Sequence, residues 1–147
     1  MDSKLIYRIP VIVLFSIYSV AHAFCQEPDE RETEYLLHSI YFGGGSHHVD
    51  EQQQKNLFHF IKGIENIEHY EISVHAYTDN IGSKAYNDWL SHQRSEAVIG
   101  LLEQYNIHRQ TVSIKSFGKL NAVYDNRSSE GRLQNRRVDI ILWPITL

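Results

Sequence analysis

From Ser39 onward the chain alternates between short apolar runs and longer stretches with helical spacing. Ser39–Phe42 is an apolar run ended by Gly43-Gly44-Gly45, which reads as a first strand entering a loop. Asp50 has the type and place of an N-cap. Leu57, Phe58, Ile61 and Ile64 follow at helical spacing, predicting a helix to about Ile64 with those four residues inward. Glu71–Tyr77 has period two, with Ile72, Val74 and Ala76 on one face, and predicts a second strand. Thr78–Ala85 is a polar loop containing Gly82. Asn87–Tyr105 carries the strongest helical stripe (Leu90, Ala97, Val98, Leu101, Leu102). Val112–Phe117 alternates again, Leu120–Gly131 reads as loop, and Arg137–Trp143 closes the pattern with Val138, Ile140 and Leu142 on one face. Strands alternating with two helices predict one sheet with helices packed on a face.

The residues before this pattern follow different rules. Met1–Arg8 is weakly basic, Ile9–Ala21 is uncharged and apolar, and Ala21-His22-Ala23 supplies small residues at a cleavage position. That is the layout of an export signal over residues 1–23. The apolar stretch is short against the ~20 residues of a membrane helix, and Pro10 interrupts it. Cys25 raises lipidation, but Phe24 stands where a bacterial lipobox has a small residue, so a lone thiol is the leading reading. Residues 24–34 form an acidic linker, with Pro28 and five acidic side chains in Gln26–Glu34 and no apolar surface to bury. The domain expected over 35–147 follows. With one leader, one linker and one domain, the 147 residues leave no room for a barrel or a membrane-spanning partner segment.

Charge and composition narrow the class. The net −4 belongs almost wholly to the linker; Lys115–Leu147, with six bases and three acids, is locally positive. Fourteen Lys+Arg against eighteen Asp+Glu over the chain argue against general nucleic-acid binding. One cysteine excludes an intramolecular disulfide framework and a cysteine-rich zinc site. The nine histidines include the adjacent His47-His48 but no H-E-x-x-H spacing, so no metal site is expected. Gly43-Gly44-Gly45 lacks the G-K-[ST] of a phosphate loop.

Two features carry candidate chemistry. Arg94 lies on or beside the apolar stripe of the long helix, where an unpaired guanidinium is costly. Asp79, at the mouth of the preceding strand, is the expected partner, either in a plain loop-to-helix ion pair or in a ligand site. The second feature is Asn126, Gly131-Arg132 and Asn135-Arg136-Arg137-Val138. Because strand residues alternate, one of Arg136 and Arg137 should face the sheet and the other solvent. Guanidiniums and amides together suit a carboxylate or a phosphate; the alternative is a solvated charge run. Tyr77, Tyr86 and Trp89 interleave with these residues and are expected to pack, although Trp89 could also stack on a sugar.

These residues stand in an order that resembles a known family. Thr78-Asp79-x-x-Gly82, Tyr86-Asn87-x-x-Leu90-Ser91-x-x-Arg94, Phe117-Gly118, then Asn126 and Glu130-Gly131-Arg132-x-x-Asn135-Arg136-Arg137-Val138 follow the pattern of the OmpA C-terminal-like (OmpA/MotB/Pal-type) domain. The resemblance covers roughly Ile40–Leu142. Ala76-Tyr77 replaces the usual Gly-His, Lys119 an acidic residue and Ala122 a proline, and the Gly43–Gly45 region is atypical. The resemblance implies an α/β (α+β) two-layer sandwich of βαβαβ-type order, with a small mixed sheet of about four strands and two main helices on one face. It implies a non-catalytic, cofactor-free module that binds the diaminopimelate end of the peptidoglycan stem peptide. Asp79 would take the ammonium and Arg94 the carboxylate, with Thr78, Leu90, Asn126 and Arg137 shaping or supporting the pocket. An exported, periplasmic protein associated with the cell wall would follow, anchoring the outer membrane or an envelope complex, with self-association as a homodimer left open. Two other functions remain: a peptidoglycan-active hydrolase using Asp79, and an envelope scaffold without ligand. Glycoside cleavage generally needs two carboxylates, whereas Asp79 has basic company.

Overall fold

The computed structural model describes residues 34–145. The expected export signal, Cys25 and the acidic linker up to Thr33 lie outside the described residues. The elements run β1 (Leu36–Tyr41), α1 (Glu51–Lys62), β2 (Tyr70–Tyr77), α2 (Lys84–Glu103), β3 (Val112–Gly118), α3 (Ser129–Asn135) and β4 (Arg137–Pro144). The sheet order is β1-β4-β2-β3, with β4 antiparallel to both neighbours and β2 parallel to β3. Parallel strands need a crossover, and α2 supplies it. The result is the expected mixed four-stranded sheet.

Period-two alternation puts Ile40 opposite Val138, Val74 opposite Ile140 and Ile72 opposite both Leu142 and Val112. These residues join Leu57 and Ile61 of α1 and Val98, Leu101 and Leu102 of α2 in one core. The other sheet face is polar and aromatic: Arg137 and Asp139 pair there (3.0 Å), and Ser39 Oγ donates to Asp139 (2.7 Å).

Helix ends follow their caps. Asp50 caps α1 as expected, accepting from the Gln53 N–H, and the helix stops at Lys62 before Gly63. Of its predicted inward residues, Leu57 and Ile61 are buried, but Phe58 is 39% exposed and meets the Tyr105 ring instead. Helix α2 begins three residues before the expected Asn87, because Ser83 is its cap and the apolar stripe starts only a turn later.

The stretch expected to be loop up to Gly131 ends in a helix. In α3, Ser128 Oγ accepts from the Gly131 N–H, while its one large apolar residue, Leu133, is exposed, so there is no stripe to read. Gly131 is required for close approach: a Cβ there would land on the Asp125 carbonyl. Asn135, fully buried, donates to Tyr124 O (2.9 Å) and Asn126 Oδ1 (3.0 Å) and accepts from the Tyr124 N–H. It thereby fixes the chain that delivers Arg136 and Arg137 to β4.

Candidate functional site

The site forms where β2 runs out. Between Ala76 and Tyr77 the pairing with β3 shifts register, and the Thr78 N–H then bonds to Gly118 O (2.8 Å). The chain turns sharply: Asp79 Oδ1 accepts from the Ile81 N–H (3.0 Å), and Gly82 adopts φ +99°. Asn87 Nδ2 gathers the turn against the start of α2 by donating to Ile81 O (2.9 Å) and Ser83 O (3.0 Å). With two carbonyls claiming its amide nitrogen, Asn87 presents Oδ1 inward, where it is buried without a partner.

Arg94 reaches the same place from the next turns of α2. Its fork donates to Ser46 O from Nε (2.9 Å), to Tyr77 O from Nη1 (3.0 Å) and to Gly43 O from Nη2 (3.1 Å). The guanidinium lies 4.9 Å from the centre of the Phe42 ring. The glycine-rich loop is thus wrapped around a buried cation. Burial pushes the Arg94 pKa down to about 10, with the Asp79 carboxylate acting upward and Arg136 downward, so it remains charged at neutral pH.

The expected Asp79–Arg94 ion pair is corrected by the structure: the carboxylate of Asp79 pairs with Arg136 Nη1 (3.0 Å). Arg136 Nε also donates to Phe42 O (3.1 Å). The reason is strand parity. Arg136 precedes Arg137 and shares the side of core-facing Val138, which brings it to the end of β2. Nor does either arginine face solvent: Arg137 is buried on the opposite sheet face, paired with Asp139 and 4.3 Å from the centre of the Tyr77 ring.

The cavity so formed, of about 180 Å³, is lined by Thr78, Asp79, Leu90 and Arg94, together with Gly44, Gly45, Ile81, Tyr86, Asn87 and Arg136. Four of the six expected site residues therefore meet at one place. Asn126 and Arg137 do not line it; Asn126 sits in the Asn135 network and Arg137 across the sheet. Sequence reading singled out Arg136 within the arginine cluster but chose Arg137 for the site, although the parity of Val138 was a usable signal, and it missed Asn87 Oδ1, for which only the folded turn gives notice. Two guanidiniums face one carboxylate, so the cavity has an excess of positive charge. It is also small beside the roughly 300–1,000 Å³ of pockets that enclose a whole ligand, which suits the charged end of a larger molecule. The described residues hold no group of three or more potential metal ligands.

Comparison with known proteins adds the following. Residues 41–136 match the model of the OmpA family. The chain is similar to the outer-membrane lipoprotein YfiB of Pseudomonas aeruginosa, 25% identical over 103 residues, covering 70% of this chain and 61% of YfiB. It is similar to the peptidoglycan-binding protein ArfA of Mycobacterium tuberculosis, 34% identical over 71 residues, covering 48% of this chain and 22% of ArfA. The chain thus spans less than two thirds of either relative. Among solved structures, the peptidoglycan-associated lipoprotein of Burkholderia pseudomallei superposes with a TM-score of 0.65 at 26% identity, covering 80% of this chain and 97% of that one.

Proposed function

Since the chain belongs to the OmpA family, we propose that it binds peptidoglycan without cleaving it, by gripping the diamino-acid end of the stem peptide in the cavity at the end of β2. The observation that carries this reading is the cavity's charge: Arg94, Arg136 and Asp79 line a space sized for the end of a ligand. The free end of diaminopimelate bears an ammonium and a carboxylate on one carbon, which matches one anion among two cations. In this reading Asp79 takes the ammonium, with Asn87 Oδ1 as a second acceptor, and Arg94 takes the carboxylate in a charge-assisted bond. Arg136 holds the Asp79 carboxylate in place, while Thr78 and Leu90 form the wall. Asn126 and Arg137 act at one remove, on the junction that presents Arg136.

Asp79 is the sole carboxylate lining the cavity, which fits binding better than hydrolysis between two carboxylates. The names of the peptidoglycan-associated and peptidoglycan-binding relatives support the same reading, and with that of the outer-membrane lipoprotein YfiB they support a place in the cell envelope.

The test is sedimentation with purified sacculi. The full-length chain should sediment with them and release no soluble fragments, and free diaminopimelate should compete better than lysine. Asp79→Asn keeps the shape of the turn but removes its charge, and should leave the protein in the supernatant. Arg94→Lys, which keeps the charge but not the fork, should weaken binding strongly. Unchanged sedimentation of both folded variants would refute the assignment; fragment release dependent on Asp79 would favour a hydrolase.

A further inference from the structure

Beside the cavity, α2 and the loop after β1 carry aromatic rings that the core does not use. Trp89 is 51% exposed and Tyr86 42%. Their ring centres lie 6.0 Å apart with the planes tilted by 33°, and His47 meets Trp89 edge-on at 6.3 Å. Neither neighbour stacks flat on the indole. Of the two roles open to Trp89, packing or stacking, its exposure favours the second, since a tryptophan recruited for stability would bury its large apolar area.

Tyr86 belongs to both places, lining the cavity and flanking Trp89. Two glycines at positive φ make room for its ring. A Cβ on Gly45 would lie 3.2 Å from Tyr86 Oη, and one on Gly82 would lie 3.0 Å from Tyr86 Cδ1. Trp89 stands one turn further along a capped helix. The two rings form a ledge on the first turns of α2 that begins at the cavity, whose lining includes Tyr86 but not Trp89.

The ledge differs electrically from the cavity. Of the charged side chains around it, Lys84 and Asp88 pair with each other (2.5 Å) and Lys119 Nζ is turned to Gly82 O (3.2 Å), so the ring faces themselves carry no charge. Apolar ring faces with a phenol hydroxyl and an imidazole at their edges suit an uncharged amphipathic ring. A pyranose is such a ring, with C–H groups on its face and hydroxyls around its rim. Resting on the reading of the cavity as a stem-peptide site, we infer that the Tyr86–Trp89 ledge is a second subsite that takes an amino-sugar ring of the glycan to which that peptide is attached.

Calorimetric titration of the full-length chain tests this with two probes: the disaccharide-tripeptide released from sacculi by a muramidase, and the tripeptide freed from its sugars. Trp89→Ala should bind the disaccharide-tripeptide about three- to ten-fold more weakly and the free tripeptide as tightly as the unaltered chain. Trp89→Phe should retain most of the difference between the probes. Equal loss on both probes would place the stack on the peptide, and no loss on either would leave the ring without a ligand; each result overturns the subsite. Asp79→Asn in the same titrations reads the cavity separately, because retained binding of both probes there would refute the peptide site whatever Trp89 does. Circular dichroism melts confirm that the variants compared are folded.

Discussion

Arg94 is a frame as well as a charge, since three carbonyls from two separate segments converge on it. Asp79 is held more simply, by one backbone N–H and by Arg136. Both members of that pair are largely buried, with side chains 8% and 14% exposed. Removing Arg136 should therefore leave the buried Asp79 carboxylate without its hydrogen-bonded cation. Arg136→Ala is expected to lower unfolding free energy by about 3 kcal/mol in urea denaturation. Adding Asp79→Asn to that variant should recover part of the loss, because a neutral amide no longer needs the partner. If the double variant is less stable than the single one, the ion pair is not what Arg136 contributes.

At the scale of elements, β2 shows how one strand serves two environments. Ile72, Val74 and Ala76 face the core, while His75 faces the polar side between Lys115 of β3 and Asp139 of β4, with the Phe117 ring edge-on at 5.5 Å. Its Nε2 is buried without a partner. Burial, and then Lys115, hold the His75 pKa below the 6.5 of a free imidazole, against an upward pull from Asp139. As pH falls, the unfolded chain therefore takes up the proton first. Stability is full above 6.5 and declines as the pH drops through the folded value. His38 on β1, lowered by burial, acts in the same direction. His75→Phe should flatten part of the decline in Tm between about pH 7 and about pH 5. An unaltered slope would show that His75 does not titrate against folding.

Across the whole described domain, one core serves both the sheet and the site. Leu57, Leu102, Ile40, Val74 and Val138 are all fully buried in it, and they come from α1, α2, β1, β2 and β4. Leu102→Ala should cost about 2–5 kcal/mol. It should also lower the site and the sheet together, because α2 carries Asn87 and Arg94. The two tryptophans make this measurable: Trp89 reports the cavity rim, and Trp143 lies on β4, where its indole N–H contacts Ser73 Oγ (3.3 Å). Tryptophan emission and far-ultraviolet circular dichroism should unfold in one coincident transition. A fluorescence change that precedes the loss of secondary structure would mean that the site melts independently.

Much of this was legible in the chain itself. Period-two alternation in Ile72–Ala76 and Val138–Leu142, helical spacing in Leu90–Leu102 and the cap at Asp50 depend on local backbone geometry, so they defined β2, β4 and both long helices with most of their inward residues, Phe58 excepted. Motif order identified Thr78, Asp79, Leu90 and Arg94 as neighbours. Helix α3 was not legible because it has no apolar stripe; it depends on a cap, a glycine against the Asp125 carbonyl and a buried amide. Parity about Val138 put Arg136 on the core side, but spacing could not show that it reaches Asp79, that Asn87 Oδ1 is left without a partner, or that Trp89 is half exposed. Those outcomes follow from the register of β4 beside β2 and from the turn at Gly82, contacts between residues far apart in sequence that exist only once the sheet has closed.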